Sequence, residues 1–455
     1  MKKKMEKFNY LFFIVLPFID IITALTTRFI NIPISLGIIL KGLYSIFIVI
    51  YILLYCKNKE KKSFIYYLIF MLVYVLLFIL TKNHIWNFNS ILTECIALYK
   101  YLFTGFILMA FITTSKNEKS NEQISKILFY TLLCYTILLI IPVITGTSFN
   151  SYGDRPKEGT IGWFFAGNEI SSIMLILFPI YFRNISENIK RKKYLNILLI
   201  IPIVYSIYII GTKTSWFGLL LISIFITIIY IIKERKNKGK LIFSILLVIT
   251  LILLSFISPT TRNLESNIIN TNKKVEVKQE TKTTKKEKTK ITNKIESCGK
   301  TYKIKEFVKD KETRRIINSI LSGRENKAYT ALKIYKETNI QTKIFGTGFK
   351  NNKEINNCNI EKYIEIDILD GLVHFGIYGL FLLIYPFIYA LIIMKKKNIF
   401  KYSTNIINIF TILLILGLSC LSGHILGYPT PSIYLSMLIV LTIMDTNSKR
   451  VVKKA

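Results

Sequence analysis

Long apolar runs, separated by short polar segments, recur along almost the whole chain. Each run is long enough to cross about 30 Å of hydrocarbon as a helix of about 20 residues. The runs lack the charged face that a helix in a soluble protein carries. This pattern predicts an all-α polytopic membrane protein with about twelve transmembrane helices, at residues 9–29, 35–56, 64–81, 91–113, 127–146, 163–183, 195–211, 215–232, 241–258, 369–394, 404–422 and 430–446.

Composition and charge agree with this class and add an orientation. The 455-residue chain is 52% hydrophobic, with a mean hydropathy of +0.43 and a net charge of +34. Short loops rich in Lys and Arg remain cytoplasmic, so a multi-pass cell-membrane protein with cytoplasmic N- and C-termini is predicted. The same distribution argues against nucleic-acid binding. The short basic clusters lie at 2–7, 57–62, 116–126, 183–193, 233–240, 395–401 and 449–454.

The first apolar run is interpreted as a retained helix. Asp20 interrupts it, and no small-residue cleavage site of the kind that follows a signal peptide is visible.

The predicted organisation has three parts. Residues 1–258 hold transmembrane helices 1–9, residues 259–367 form one large extracytoplasmic loop between helices 9 and 10, and residues 368–455 hold helices 10–12 and a cytoplasmic tail. The loop is basic, but long loops translocate largely regardless of charge.

Two regions of the loop are expected to differ. The stretch 267–296 is rich in Lys, Thr, Glu and Asn, and is predicted to be disordered because it has too few apolar side chains to offset the entropy of ordering. The stretch 304–350 is predicted to form a helical cap, from apolar residues at three- and four-residue steps. Cys298 and Cys358 both lie in the loop, and the sequence leaves open whether they form a disulfide.

Ionisable residues inside the predicted spans concentrate in the half of the bilayer next to this loop. Such residues usually pair with one another or mark a functional site. Their placement predicts a polar cavity open to the outside, although plain ion pairing, or lysines that reach the interface, would also account for them. The residues are Asp20, Lys41, Glu94, Lys100, Glu169, His374 and His424.

The most informative segment lies where the loop enters the tenth span. Glu365, Asp367, Asp370 and His374 crowd the start of this helix, and Glu365 lies eleven residues before Gly376. Carboxylates near hydrocarbon usually pair or take part in chemistry. The histidines lack the spacing of metal ligands, so neither a metal nor another cofactor is predicted.

Three further segments place cations on the same side as the loop. Arg155 lies before the sixth span, Lys213 at the tip of the hairpin 211–216, and Arg324 inside the large loop. Several cations beside carboxylates suit a phosphate ester together with a proton acceptor. The alternative is that these basic residues bind lipid headgroups or are solvated.

In this order, the motifs resemble the O-antigen ligase and lipid-linked polysaccharide polymerase superfamily of bacterial envelopes, particularly its Gram-positive branch. Ligases of that superfamily carry a histidine, a small polar residue, nine variable positions and Gly-x-x-Gly. Gly376-x-x-Gly379 fits the end of that motif, and Glu365 stands at the position of the histidine.

The other motifs extend the resemblance over nearly the whole chain. Lys213 and the apolar run after it resemble the family's Arg-x-x-x-Leu hairpin. Arg155 resembles the arginine before a Gly…Asn stretch, which ends here at Asn168, and Arg324 resembles the arginine that opens the amphipathic helix of the loop. The segment 422–429, with His424, resembles the small-residue, histidine and proline segment of Gram-positive members.

The resemblance implies an envelope polysaccharide polymerase or ligase. Such an enzyme transfers glycan from an undecaprenyl-diphosphate carrier to an acceptor sugar hydroxyl on the outer face of the membrane. It implies a GT-C-like, metal-independent, inverting glycosyltransferase whose partners are the lipid-linked glycan and membrane lipids. The alternative is a transporter or flippase of lipid-linked oligosaccharide, although no internal repeat of the kind common in transporters is visible.

The implied site has two groups of residues. The catalytic group has Glu365 as the general base, with the other three residues at the start of the tenth span orienting it or substituting for it. The substrate-binding group has cations for the diphosphate and further polar residues: Lys213, Arg155, Arg324, Asn168, Glu169 and His424.

Overall fold

The computed structural model describes residues 2–30, 35–81, 88–114, 118–153, 155–190, 194–264, 308, 310–321, 323–349, 364–397, 399–423 and 425–451. Regular structure in these residues is helical, apart from one isolated antiparallel bridge between Asn150 and Thr160. The α-helices are α1 (Lys2–Phe29), α2 (Leu36–Tyr55), α3 (Asn58–Leu80), α4 (Phe88–Thr114), α5 (Glu118–Ile144), α6 (Gly167–Lys190), α7 (Tyr194–Leu198), α8 (Ile200–Ile209), α9 (Lys213–Lys233), α10 (Lys238–Ser255), α11 (Lys311–Leu321), α12 (Glu325–Glu337), α13 (Ile340–Phe345), α14 (Asp367–Lys396), α15 (Ser403–Ser419) and α16 (Pro429–Val451).

The predicted fold class is confirmed: the chain is an all-α polytopic membrane protein. Every predicted span coincides with a helix, and the seventh is shared by α7 and α8, which meet at Leu199. Eight helices in the described part of the chain are long and apolar enough to cross a membrane, and three apolar stretches are shorter. The stretch 267–296, Cys298, Cys358 and His424 lie outside the described residues.

Successive spans run in opposite directions, which gives the bundle two ends. The end where the segment 259–367 joins α10 to α14 is called the loop end. The α1–α2, α3–α4, α5–α6, α8–α9 and α15–α16 junctions also lie there. The described residues of the basic clusters lie at the opposite end.

The core of the bundle is built around α4 and α16. Residues 429–445 of α16 are all buried, as are residues 101–113 of α4, so both helices are enclosed by others. A helix that is apolar all round is expected to be buried in this way. Small hydroxyl residues such as Thr104 and Ser432 lie where α4 meets α16, and small residues allow helices to approach closely.

Within the range predicted to form a helical cap, the described residues form α11, α12 and α13. The apolar pattern of this range does not form one continuous helix. Gly323 adopts a φ of 91° after the end of α11 and separates α11 from α12. Ala328, Ala331 and Ile334 of α12 pack with apolar residues at the start of α14 in a small core of their own.

Helix α14 is broken at Gly376, whose φ of 71° and ψ of −175° are not helical. Three carbonyl groups before the break bond to other elements. The carbonyls of Val373 and His374 accept the N–H groups of Thr347 and Gly348, at 2.8 and 2.9 Å. In a membrane, a backbone group that leaves a helix has to find another partner, and the segment 346–348 provides it.

The two glycines of the Gly376-x-x-Gly379 motif have separate structural roles. A Cβ atom at Gly376 would lie 2.3 Å from the Ile344 carbonyl oxygen, so the close approach of the segment before Gly346 needs glycine there. The Tyr74 hydroxyl donates to the third carbonyl, that of Phe375, at 2.6 Å. A Cβ at Gly379 would lie 2.8 Å from the same hydroxyl.

Replacement of Gly376 by alanine is expected to lower the free energy of unfolding by at least about 2 kcal/mol. The reasons are the positive φ and the overlap with backbone atoms, which cannot move as a flexible side chain could. Thermal unfolding in detergent, followed by fluorescence size exclusion, measures the effect. Gly417→Ala is the matched control, because a Cβ there meets no atom within 4 Å. Equal melting temperatures for the two variants would contradict this account of the break.

Candidate functional site

Glu365 has an unusual backbone conformation. Its φ of 65° makes it the only non-glycine residue with positive φ in the described part of the chain. Asp370 holds this conformation, because its carboxylate accepts the N–H groups of Glu365, at 3.1 Å, and Ile364, at 2.8 Å. The backbone of Gly423 lies so close that a Cβ there would be 2.5 Å from the Glu365 carbonyl oxygen. Strain of this kind persists where surrounding contacts enforce it, often at functional sites.

The Glu365 carboxylate is bound by two cations of the cap. Arg324, directly before α12, donates from Nε to Oε2 at 3.0 Å, and its Nη2 lies 2.9 Å from the same oxygen. Lys327, three residues later, places Nζ 3.5 Å from Oε1. The Arg324 side chain is 14% exposed and that of Glu365 is 33% exposed, so the carboxylate remains open to solvent. The prediction placed Arg324 and Glu365 in one site, and the structure brings them into direct contact.

Further cations continue from this pair along the loop end. Lys213, the first residue of α9, lies within electrostatic reach of Arg324 and Lys157. Lys157 lies within reach of Arg155, which is exposed. Burial lowers the pKa of Lys157, and the charge of Arg155 lowers it further. The predicted Lys213 and Arg155 therefore belong to a chain of positive charge that ends at Arg324.

Local folding explains why the loop before α6 meets the hairpin before α9. Gly159 and Gly211 both have positive φ, and a Cβ on Gly159 would lie 2.3 Å from the Ile210 carbonyl oxygen. The side-chain amide of Asn263 links these two segments, because it donates to the carbonyls of Glu158 (2.6 Å) and Gly211 (3.2 Å). Lys157 and Lys213 are thereby held on the same side of the bundle.

The other residues predicted to be catalytic make contacts typical of orienting groups. Asp367 is buried, and its Oδ2 accepts the N–H groups of Ile425 and Leu426 at 2.9 and 2.7 Å. His374 is fully buried, its Nδ1 lies 3.0 Å from the Gly348 carbonyl oxygen, and its Nε2 lies 3.6 Å from Asp370. Of the four, Glu365 is the carboxylate that faces the cations.

The ionisable residues deeper in the bundle are paired. Lys41 donates to Asp20 at 2.9 Å and to the Thr430 hydroxyl at 2.6 Å. Asp20 also accepts from Thr430 at 2.8 Å and from Tyr135 at 2.9 Å. Asp20 and Lys41 thus follow the ion-pairing alternative, and they anchor the start of α16.

Two predicted binding residues at the start of α6 lie between this pair and Glu365. Asn168 donates to the carbonyl of Ser422 at 3.4 Å, and Ser422 directly precedes the glycine packed on Glu365. Glu169 lies within electrostatic reach of Asp20, Lys41 and Lys100. Asn168 therefore contacts the segment that supports Glu365, whereas Glu169 belongs with the deeper charges.

Glu94 of α4 connects the cap to the bundle. Its two carboxylate oxygens accept the N–H of Phe349 at 2.7 and 2.8 Å. The ring of Phe349 stacks on His374 with 4.3 Å between centroids. The sequence located Glu94 in the correct half of the bundle but gave no sign of this partner.

Lys157 and Lys327 lie in the candidate site but were not among the residues predicted for it. Lys327 could have been recognised from its spacing, since residues three apart on a helix share a face and Arg324 had been selected. Lys157 lies two residues after Arg155, in the polar segment before the sixth predicted span. Among the described residues, no group of three or more His, Cys, Asp and Glu side chains is arranged to hold a metal ion.

A family model described as O-antigen ligase like membrane protein matches residues 2–449, which is nearly the whole chain. No curated protein matches the chain.

Replacement of Arg324 by methionine is expected to destabilise the protein by about 1–3 kcal/mol, because Glu365 loses its closest cationic partner in a partly buried site. The control is Arg262→Met, which removes an exposed pair with Glu158 and is expected to change stability by less than about 1 kcal/mol. Thermal unfolding of Arg324→Met, Glu365→Gln and the double variant forms the cycle that isolates the pair. Strictly additive effects would show that these two side chains do not interact.

Proposed function

Since the chain belongs to the O-antigen ligase-like family of membrane proteins, we propose that it is an envelope polysaccharide polymerase or ligase that uses an undecaprenyl-diphosphate-linked glycan as donor. The family supports a polysaccharide ligase or polymerase role and thereby favours an enzyme over the transporter or flippase alternative. The acceptor is a sugar hydroxyl, and transfer takes place at the loop end of the bundle.

The observation that carries this proposal is one carboxylate among several cations. Glu365 contacts Arg324 and Lys327, and Lys213 lies within electrostatic reach of Arg324. A diphosphate leaving group gains negative charge as its bond to the sugar breaks. Fixed cations that face this developing charge stabilise the transition state. A site with cations alone would bind the donor but would offer no proton acceptor.

In the proposed reaction, the oxygen of the acceptor hydroxyl attacks the anomeric carbon of the donor sugar. A new C–O bond forms while the hydroxyl proton passes to the Glu365 carboxylate. The bond between the anomeric carbon and the diphosphate oxygen breaks, and its electron pair leaves with that oxygen. Lys213, Lys157 and Arg324 stabilise this charge, with Arg155 further along the same chain of cations. Attack opposite the leaving group inverts the anomeric configuration.

The remaining predicted residues have supporting roles in this proposal. Asp370 and His374 position Glu365, and Asp367 binds the N–H groups of Ile425 and Leu426. Asn168 belongs to the substrate-binding group through its bond to Ser422, and Glu169 through the deeper charges. His424 belongs to it on the sequence motif alone.

The orientation is also proposed. Basic clusters lie at the end of the bundle opposite to the loop end, so the positive-inside rule puts the loop end outside and both termini in the cytoplasm. The carrier lipid would reach the cations from the outer leaflet.

Replacement of Glu365 by glutamine is expected to lower kcat for glycan transfer at least about 100-fold, because an amide cannot accept the proton. The donor KM is expected not to rise, since the cations remain and lose a competing carboxylate. Purified protein in lipid vesicles with a lipid-linked glycan as substrate provides the assay.

The matched control is Glu158→Gln, which removes an exposed carboxylate at the same end of the bundle. Near-wild-type kcat in Glu365→Gln would rule out Glu365 as the general base. A loss of the same size in Glu158→Gln would show that the assay reports charge at this surface and not proton transfer.

Single cysteines in a background without the six native ones test the orientation. Pro156→Cys lies at the loop end and Lys236→Cys at the other end, and both residues are exposed. A membrane-impermeant maleimide is expected to label residue 156 in intact cells, and residue 236 only after the membrane is opened. The reverse pattern would overturn the proposed orientation.

A further inference from the structure

The cation expected to bind the donor diphosphate is already engaged by the proposed base. Two guanidinium nitrogens of Arg324 contact one oxygen of Glu365, and Nη1 lies 3.5 Å from the Leu321 carbonyl oxygen. Lys327 takes the other carboxylate oxygen. The role proposed for Arg324 in binding diphosphate therefore competes with its contact to Glu365.

This competition matters because neighbouring charge sets the strength of a base. Cations close to a carboxylate favour its ionised form and so make it a weaker proton acceptor. Among the described residues, the charged groups near Glu365 include Asp370, which binds its backbone N–H, and Asp367 two residues later, and Lys213 lies within electrostatic reach of Arg324. His374 is separated from it by Asp370.

We propose that Arg324 and Lys327 are shared between Glu365 and the donor diphosphate, so that Glu365 becomes an effective base only in the donor-loaded enzyme. An arriving diphosphate draws both cations toward its own oxygens and weakens their hold on the carboxylate. The inference rests on the proposed function, because it takes a diphosphate as the ligand of this site.

The geometry suits such an exchange. A diphosphate carries more negative charge than one carboxylate, and Lys213, within electrostatic reach of both Arg324 and Lys157, adds further positive charge to the site. Lys327 is 28% exposed and contacts Glu365 at 3.5 Å, on a long and flexible side chain. Arg324 has five N–H donors in a planar fork, so it can turn one edge to phosphate. If the two cations are shared in this way, Glu365 removes the proton of the acceptor hydroxyl only when a donor is bound.

The test measures protonation of Glu365 with and without the carrier headgroup. Dicyclohexylcarbodiimide reacts with protonated carboxyl groups, and peptide mass spectrometry quantifies its adduct on Glu365 across a pH series. The sample is the full chain in lipid nanodiscs, with or without saturating undecaprenyl diphosphate. Native mass spectrometry establishes separately that the lipid is bound.

The midpoint pH of Glu365 labelling is expected to rise by about one unit or more when undecaprenyl diphosphate binds, which corresponds to a tenfold change in proton affinity. In the Arg324→Gln/Lys327→Gln double variant, the midpoint is expected to be raised already, and bound lipid is expected to add much less. Glu158, whose exposed partner is Arg262, is the internal control and is expected to keep its midpoint throughout.

Each other outcome has a definite meaning. Lipid that binds without raising the midpoint overturns the sharing but leaves the proposed function intact. An equal rise in wild type and double variant shows direct repulsion between diphosphate and carboxylate, which also overturns the sharing. Failure of undecaprenyl diphosphate to bind at all removes the donor assignment, and the proposed function fails with it.

Discussion

The break in α14 at Gly376 is the feature on which the rest of the site depends. A transmembrane helix that opens its backbone has to satisfy the exposed carbonyls within the protein, because lipid offers no donors. Here the donors are the N–H groups of Thr347 and Gly348 and the hydroxyl of Tyr74. These bonds tie the end of the cap to the start of α14. Since α12 lies in the same cap, they also help to hold Arg324 against Glu365.

The carboxylates near this junction divide into two kinds. Asp367 and Asp370 accept backbone N–H groups and fix the segments around the start of α14. Glu365 instead faces side-chain cations and solvent. Proton transfer needs a group that substrate can reach, whereas a carboxylate occupied by backbone N–H groups is better suited to positioning. This division follows from the contacts and could not be seen in the clustering of acidic residues along the chain.

Sequence alone predicts the spans well because hydrophobic length is a local property, and each predicted span coincides with a helix. It also selected Glu365, through a spacing to Gly376 whose structural reason is the helix break, and Lys213 and Arg324 through other motifs; the structure brings the three into one region. It did not reveal the break itself, the split of the cap helix at Gly323, or the roles of Lys157 and Lys327. Each of these depends on which distant segment packs nearby. The Asp20–Lys41 pair was left open between pairing and a cavity for the same reason.

In the proposed donor site, cations from the loop before α6, the start of α9 and the cap gather near Glu365. A structure of the protein with bound undecaprenyl diphosphate tests this most directly. The account predicts both phosphates within about 4 Å of Lys213 and Arg324, the range of an ion pair, with the oxygen that would carry the sugar directed toward Glu365. Phosphates bound at the opposite end of the bundle, or away from Lys213 and Arg324, would contradict it.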